Sequence, residues 1–205
     1  MNDSSAAGGS VHPGSEEDLR QRLALLAPTD NVRGMLLNGI LEVVRERGDE
    51  AAVRQCLEAA GEKTLVDFFT YPSSVHLRML YTAARLLSDR YGGFEQALGA
   101  LGYQGARNFL ASIPGKLLMV LAQGNPKRLI NALPSAFNVG GSHLKIDVRW
   151  TGPHSAVFVF QRDFIPLVYT EGVLRAAFEA AQVKGFQVRS RQLESLASEY
   201  EMSWE

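Results

Sequence analysis

The sequence is poor in cysteine, in long apolar runs and in net charge. One cysteine, Cys56, stands among 205 residues, which excludes a disulfide framework and a cysteine-rich zinc site. No apolar run approaches the roughly 20 residues that cross a bilayer, and the first residues contain no stretch of signal-peptide type. With a net charge of −1, overall electrostatics favour neither nucleic acid nor a membrane. We therefore expect a cytoplasmic protein with no membrane partner.

The motifs of common enzyme and cofactor sites are also missing. Gly115 and Lys116 lack the earlier glycine and the following Ser or Thr of a phosphate-binding loop, and the sequence has no Gly-x-Ser-x-Gly elbow. Cys56 lies on the apolar face of a predicted helix, which favours a buried, unreactive thiol. No two of the four histidines stand at helical spacing, and His76, in the first turn of a helix, is predicted to be solvated. We expect no catalytic residue, no metal site and no cofactor, and hence no enzyme.

The apolar fraction of 46% is enough for one compact domain, which we divide into two lobes after a short tail. Residues 1–17 are small and polar and are predicted to be a disordered tail. Residues 18–133 show helical spacing of apolar positions and form the predicted helical lobe. Asp30 or its neighbour is predicted to cap the first long helix. Gly99 and Gly102 are predicted to stand at helix ends.

The apolar period changes from helical to two at Pro134, where the predicted sheet lobe, residues 134–205, begins. Alternation followed by an apolar run predicts a hairpin within 145–160, and a helix over 166–183 and two further strands follow. This order of strand, strand, helix, strand, strand after a helical half predicts an α+β fold with an antiparallel sheet. A last strand over 199–204 would present an edge, through which a homodimer could form.

One stretch of the chain carries charge of a single sign. Between Glu95 and Asp147 the sequence has five cations and no carboxylate. The cations are Arg107, Lys116, Lys127, Arg128 and Lys145. They could form a basic face for a phosphate-bearing ligand or an acidic partner, or acids from elsewhere, such as Glu46 or Glu171, could neutralise them. Aromatic side chains for base stacking are sparse nearby, so nucleic acid is not expected.

Several short motifs resemble a known family. They are Phe94-Glu95-Gln96-Ala97-Leu98-Gly99, the spaced residues Phe109, Ser112, Gly115 and Lys116, and Leu133-Pro134-Ser135-Ala136-Phe137. Together with Val32-Arg33-Gly34 and Tyr71-Pro72 they are similar to a large myxobacterial paralogous family of uncharacterised function. The similarity covers residues 32–204 and implies a helical first half that closes with a small sheet.

More distantly, the layout resembles the haem-nitric-oxide/oxygen-binding (H-NOX) domains. In those domains the helices are followed by a Pro-Pro-x-Phe link, a hairpin, a long helix and final strands, and Pro134-Ser135-Ala136-Phe137 is similar to that link. Phe68-Phe69 and Tyr71 are similar to their distal segment. The resemblance implies an H-NOX-like architecture, with an N-terminal helical lobe followed by a C-terminal antiparallel sheet.

The residues that hold haem in H-NOX domains are not carried over. That family binds iron through a histidine on the helix before the link, whereas no histidine lies between His76 and His143 here. It holds the haem propionates with Tyr-x-Ser-x-Arg, and the matching residues are Phe158-Val159-Phe160-Gln161-Arg162, which keep the arginine alone. The resemblance therefore implies a haem-free member of the fold.

These observations favour a non-enzymatic, haem-free sensory or adaptor module that binds a small ligand or a signalling protein between its lobes. The candidate pocket residues are Phe109, Leu118, Phe137, Phe158 and Phe160, with Arg162 at the mouth facing an anion. The plainer interpretation is that the apolar residues form core and that Arg162 pairs with Asp163 or Glu171.

Two alternative functions stay open. One is a haem-dependent gas sensor in which His76 or His143 is a displaced iron ligand. The other is a binder of a phosphate-bearing ligand, such as a nucleotide or a nucleic acid, through the basic residues of 107–145.

Overall fold

The computed structural model describes residues 11–141 and 144–205 of the chain. Within them the chain forms eight α-helices and six β-strands. The helices are α1 (Glu16–Ala24), α2 (Gly34–Arg47), α3 (Glu50–Ala60), α4 (Ser73–Tyr91), α5 (Phe94–Ala111), α6 (Ile113–Ala122), α7 (Pro126–Gly140) and α8 (Leu167–Ala180). The strands are β1 (Asn31–Arg33), β2 (Thr70–Pro72), β3 (Lys145–Gly152), β4 (Ser155–Gln161), β5 (Gln187–Glu194) and β6 (Ala197–Ser203). None of the described helices has both the length and the hydrophobicity needed to cross a bilayer.

The helical lobe packs around α4, which contacts α2, α3 and α5. Leu77, Met79 and Tyr81 of α4 are fully buried in this core. The helix α3 beside it begins and ends as its sequence predicts. The Ala52 N–H donates to the Asp49 carboxylate at 2.8 Å, and Gly61 ends the helix in the left-handed conformation, which glycine adopts without steric cost.

The second lobe is a four-stranded antiparallel sheet with the strand order β3-β4-β6-β5. Helices α7 and α8 cover one face of it, and Phe158, Phe160 and Tyr200 are fully buried on that face. Phe158 of β4 stands directly opposite Tyr200 of β6. The observed order confirms the predicted α+β class. The predicted free edge at 199–204 is wrong, because β6 lies between β4 and β5 and the edge strands are β3 and β5.

Helix α7 continues through Pro134 to Gly140, so the sheet lobe begins after residue 140 and not at Pro134. A proline inside a helix removes one backbone hydrogen bond. The apolar side chains of Ile130, Leu133 and Phe137 nevertheless keep helical spacing across it and pack into the core beneath the sheet. Packing of this face maintains the helix.

Helices α5 and α8 approach each other closely at their glycines. The prediction that Gly99 and Gly102 end helices is wrong, since both lie inside α5. A Cβ atom on Gly102 would stand 2.0 Å from the carbonyl oxygen of Tyr169, and one on Gly172 would stand 2.1 Å from that of Gly99. The glycines therefore permit backbone contact between the two helices.

The chain enters α2 from a strand. β1 pairs antiparallel with β2, so that Val32 stands opposite Tyr71, and α2 begins at Gly34 with no side-chain cap. The predicted cap at Asp30 is wrong because its carboxylate accepts a hydrogen bond from the Ala27 N–H at 2.7 Å instead.

The last residues of the predicted disordered tail are ordered. Ser15 caps α1, since its hydroxyl accepts a hydrogen bond from the Asp18 N–H at 3.1 Å. Arg85 of α4 donates to the carbonyl oxygen of Gly14 at 2.9 Å. These contacts join the end of the predicted tail to the helical lobe, while residues 1–10 lie outside the described residues.

Candidate functional site

A cavity lies where the helical lobe meets the helices that cover the sheet. Its volume is about 120 Å³, and its wall is formed by residues of α2 and α4 on one side and of α5, α6, α7 and α8 on the others. Phe109, Leu118 and Phe137, three of the predicted pocket residues, lie on this wall. Further aliphatic side chains on it are Leu36, Leu110, Leu133, Leu144, Ile165 and Val173. The space is therefore predominantly apolar.

Small residues leave this space open. Gly105 and Ala106 of α5 face Ala136 and Gly140 of α7 around the cavity. A Cβ atom on Gly140 would stand 2.5 Å from Cδ1 of Leu36, so a side chain at this position would make Leu36 move. Large side chains at these positions would fill the cavity or move the helices apart.

His76 of α4 is part of the cavity wall. His76 is only 5% exposed, and its ring stands edge-on to Tyr169 with 6.1 Å between the centroids. The prediction that His76 is solvated is wrong, because His76, Leu80 and Ala83 recur at i, i+4 and i+7 and share the buried face of α4. That spacing is the sequence signal that locates His76 in the interior.

A buried carboxylate lies on the same wall. Asp163, in the link between β4 and α8, accepts hydrogen bonds from the Ser198 hydroxyl and, at 2.7 Å, from the Tyr200 hydroxyl. Burial raises the pKa of Asp163 above its ordinary value, and these two hydrogen bonds oppose that rise. Burial also raises the pKa of Tyr169 to about 12, so this phenol remains protonated. No sequence motif marks Asp163, because both donors come from β6.

Arg162 is not part of the cavity wall. Its guanidinium donates to the Asp30 carboxylate, with Nε 3.3 Å from Oδ1 and Nη2 bonded to Oδ2. The anion that Arg162 faces is therefore Asp30, and neither Asp163 nor Glu171 is its partner. Glu171 instead accepts hydrogen bonds from the backbone N–H and the hydroxyl of Ser190.

Phe158 and Phe160 are also absent from the wall and belong to the core beneath the sheet. The Phe160 ring stands edge-on to Phe137 at 5.2 Å and tilted against Tyr200 at 4.8 Å. Phe160 therefore packs against Phe137, which is part of the cavity wall. These two positions follow the plainer interpretation, in which the aromatic residues of β4 are core.

The five cations of the basic stretch are spread over α5, α6, α7 and β3. Arg107 lies 6.0 Å from the centroid of the Tyr103 ring, and the Tyr103 hydroxyl donates to Glu179 at 2.7 Å. Arg128 donates to the side chain of Gln123. A carboxylate from α8 thus lies near Arg107, through its hydrogen bond with Tyr103.

A protein-family model matches most of the chain. Residues 25–205 match the model of a family described as a protein of unknown function, DUF2378. The chain belongs to this family. None of the curated proteins matches it.

Several solved structures similar to this DUF2378 chain are H-NOX proteins. One is an H-NOX protein from S. oneidensis in the Fe(II)NO ligation state, with a TM-score of 0.65, 12% identity and coverage of 84% of this chain and 99% of that chain. Another is the unliganded Fe(II) H-NOX protein from K. algicida, with a TM-score of 0.63, 11% identity and coverage of 84% and 96%. Likeness at this identity shows the fold, and it confirms the H-NOX-like architecture expected from the sequence.

The H-NOX fold implies haem, but the residues of the DUF2378 chain do not fit a porphyrin. The cavity of about 120 Å³ is well below the roughly 300–1,000 Å³ typical of ligand pockets. Phe158 and Phe160 place buried phenyl rings where the resemblance would require propionate-binding hydroxyls, and Arg162 is engaged by Asp30. On the described part of the wall, His76 is the one histidine, while His143 lies outside the described residues.

Proposed function

We propose that this chain is a non-enzymatic, haem-free sensory module of the cytoplasm that binds a small, largely apolar ligand in the cavity between its lobes. The observation that carries the proposal is the cavity itself, an apolar space in a fold whose solved relatives are H-NOX proteins. Native interiors pack densely and leave few voids larger than a water molecule. An apolar cavity at the junction of two lobes is therefore a candidate site for a ligand much smaller than those that fill typical pockets.

The size of the cavity limits the ligand. An engineered protein cavity of about 150 Å³ admits benzene or xenon, and this cavity is somewhat smaller at about 120 Å³. A ligand of one small ring or a short branched chain fits that space. It is neutral, because an unpaired charge among apolar side chains is costly to bury. His76 provides a hydrogen-bonding group for one polar atom of such a ligand.

The absence of enzyme chemistry is part of the proposal. Burial raises the pKa of the Cys56 thiol to about 12, so this cysteine is not a nucleophile at neutral pH. Among the described residues, no group of three or more His, Cys, Asp and Glu side chains could hold a metal ion. Both observations support a binding module over a hydrolase or a metalloenzyme.

Ligand binding is tested by thermal unfolding with phenol and benzene as probes. At a probe concentration of about ten times Kd, binding stabilises the native state by about 1.4 kcal/mol, which raises Tm by roughly 3–6 °C. Ala106→Leu and, separately, Ala136→Leu place a larger side chain in the cavity and abolish this shift. Ala51→Leu, on the exposed surface of α3, keeps it. Absence of a shift in the wild type, or an equal shift in the filled variants, contradicts the proposal.

His76 on the wall favours one competing function, the haem-dependent sensor with a displaced ligand. Titration of the purified chain with haemin distinguishes the two. We expect no Soret band of a bound, ligated haem. A stoichiometric Soret band that is lost in His76→Ala and kept in His154→Ala, whose histidine lies at the exposed hairpin turn, would replace our proposal with the haem sensor.

A further inference from the structure

Helix α6 exposes an apolar face. Ile113, Leu117, Val120 and Leu121 are between 58% and 86% exposed, and they recur at i, i+4, i+7 and i+8 on one side of the helix. On the opposite side Leu118 and Ala122 are buried. A helix that is apolar all round is normally buried on every side. An exposed face of this kind, made of contiguous large apolar side chains, is typical of a surface that binds a protein or a membrane.

Three exposed cations lie on α6 or directly after it in the chain. Lys116 lies on the exposed side of α6, and Lys127 and Arg128 follow at the start of α7. None of the ion pairs formed within 11–141 and 144–205 uses these three cations. The sequence has no carboxylate between Glu95 and Asp147. The chemistry that complements this surface is therefore an apolar layer behind a layer of negative charge.

We propose that the α6 face binds the surface of an anionic membrane. The exposed apolar side chains enter the boundary between headgroups and acyl chains, while Lys116, Lys127 and Arg128 remain among the anionic headgroups. Each such cation near the surface contributes to the attraction, and a single short apolar segment gives reversible binding. This site is separate from the proposed ligand cavity, although Leu118 on the inner side of α6 is part of the cavity wall.

A second copy of the chain is a poorer occupant of this face. With 10 residues, α6 is only about 15 Å long. A stable protein interface covers roughly 800 Å² of each partner, so the face of α6 is too small to form one by itself. An interface with two-fold symmetry would also bring the same cations of both copies together. The net charge of −1, from which we expected no membrane partner, hides this local arrangement, because the acidic residues lie elsewhere in the chain.

The test is sedimentation of the full chain with lipid vesicles. We expect it to bind vesicles of phosphatidylcholine with about 30% phosphatidylglycerol, not vesicles of phosphatidylcholine alone, and to dissociate as NaCl rises toward about 1 M. The double variant Leu117→Ser/Val120→Ser loses about tenfold or more in the vesicle partition coefficient. Lys116→Glu weakens binding to the anionic vesicles. Leu193→Ser removes an exposed leucine of β5 and is the matched control that leaves binding unchanged.

Because the substituted side chains are exposed, the variants keep the fold, which circular dichroism verifies. Equal partitioning of the wild type and the double variant would overturn the proposal, as would absence of binding to the anionic vesicles. A wild type that sediments as a dimer without vesicles, with a monomeric double variant, would assign this face to a second copy instead.

Discussion

The guanidinium of Arg162 and the carboxylate of Asp30 form an ion pair across a sequence separation of 132 residues. Arg162 follows β4 in the sheet lobe, and Asp30 precedes β1 in the helical lobe. The Asp30 side chain is almost fully buried, at 4% exposed, whereas that of Arg162 is 38% exposed. The pair therefore joins the two lobes, with a buried carboxylate from the helical lobe and a partly exposed guanidinium from the sheet lobe.

Replacement of Arg162 by Ala leaves the Asp30 carboxylate buried without this partner. We expect a loss of about 2 kcal/mol in the free energy of unfolding. This is less than the loss for a fully buried ion pair, because the Arg162 side chain is partly exposed to solvent. Urea denaturation measures it. Arg189→Ala, at an exposed position of β5, is the control and should change stability by less than about 0.5 kcal/mol. An equal, small effect of both substitutions would show that the pair contributes nothing.

The contact between α5 and α8 predicts opposite effects for two glycine substitutions on one helix. Gly102→Ala puts a Cβ atom 2.0 Å from the Tyr169 carbonyl oxygen, so the helices must separate, and we expect a loss of about 3 kcal/mol or more. Gly99→Ala puts its Cβ no closer than 3.5 Å from its neighbour, an ordinary contact. There the higher helix propensity of alanine should stabilise the chain by up to about 1 kcal/mol. A similar effect of both substitutions would contradict the close approach.

The raised pKa of Asp163 makes stability depend on pH in a defined direction. The folded state holds the Asp163 proton more tightly than the unfolded state, whose pKa is near the ordinary value of 3.8. The contribution of Asp163 is therefore complete below that value and declines as pH rises through the raised pKa. Asp163→Asn keeps an oxygen to accept from Ser198 and Tyr200 but does not ionise.

The measurement is the difference in free energy of unfolding between Asp163→Asn and the wild type from pH 4 to pH 8. We expect this difference to move in favour of the variant as pH rises. Tyr200→Phe removes one hydrogen bond that lowers the pKa of Asp163, so in that background the change should extend to higher pH. A difference that is constant with pH would show that Asp163 ionises in the folded state as it does in the unfolded chain.

Much of the architecture follows from the sequence because it depends on local periodicity. The helical half, the hairpin and the long helix before the last strands each have a run of apolar residues with the period of their own secondary structure. The position of β6 does not follow, because the order of strands is decided by how α8 crosses the sheet. Continuation of α7 past Pro134 depends likewise on the packing of Phe137, which is not a local property.

The site was partly predictable for the same reason. Phe109, Leu118 and Phe137 are large apolar residues at the lobe junction, and they lie on the cavity wall. The Asp30–Arg162 pair and the Asp163–Tyr200 hydrogen bond join residues that are distant in sequence, so no motif reveals them. His76 differs, since its spacing with Leu80 and Ala83 indicated burial in the sequence itself.

The raised pKa of the buried Cys56 predicts an unreactive thiol. In the native protein at pH 8 we expect no reaction with a disulfide reagent on the time scale of minutes, because the thiol stays protonated and shielded. One equivalent should react after unfolding in guanidinium. Ala51→Cys, at an exposed position on the same helix, should react at once. Rapid reaction of the native wild type would show that α3 opens or that the thiol is accessible.

Xenon binding tests whether the space between the lobes is an open apolar cavity, because xenon enters dry apolar cavities without any specific group to bind it. Crystals of the full chain under xenon pressure should show a xenon atom in contact with Phe109, Leu118 and Tyr169, and crystals of Ala106→Leu should not. A wild-type cavity without xenon, or one closed by the surrounding side chains, would contradict the proposed ligand site.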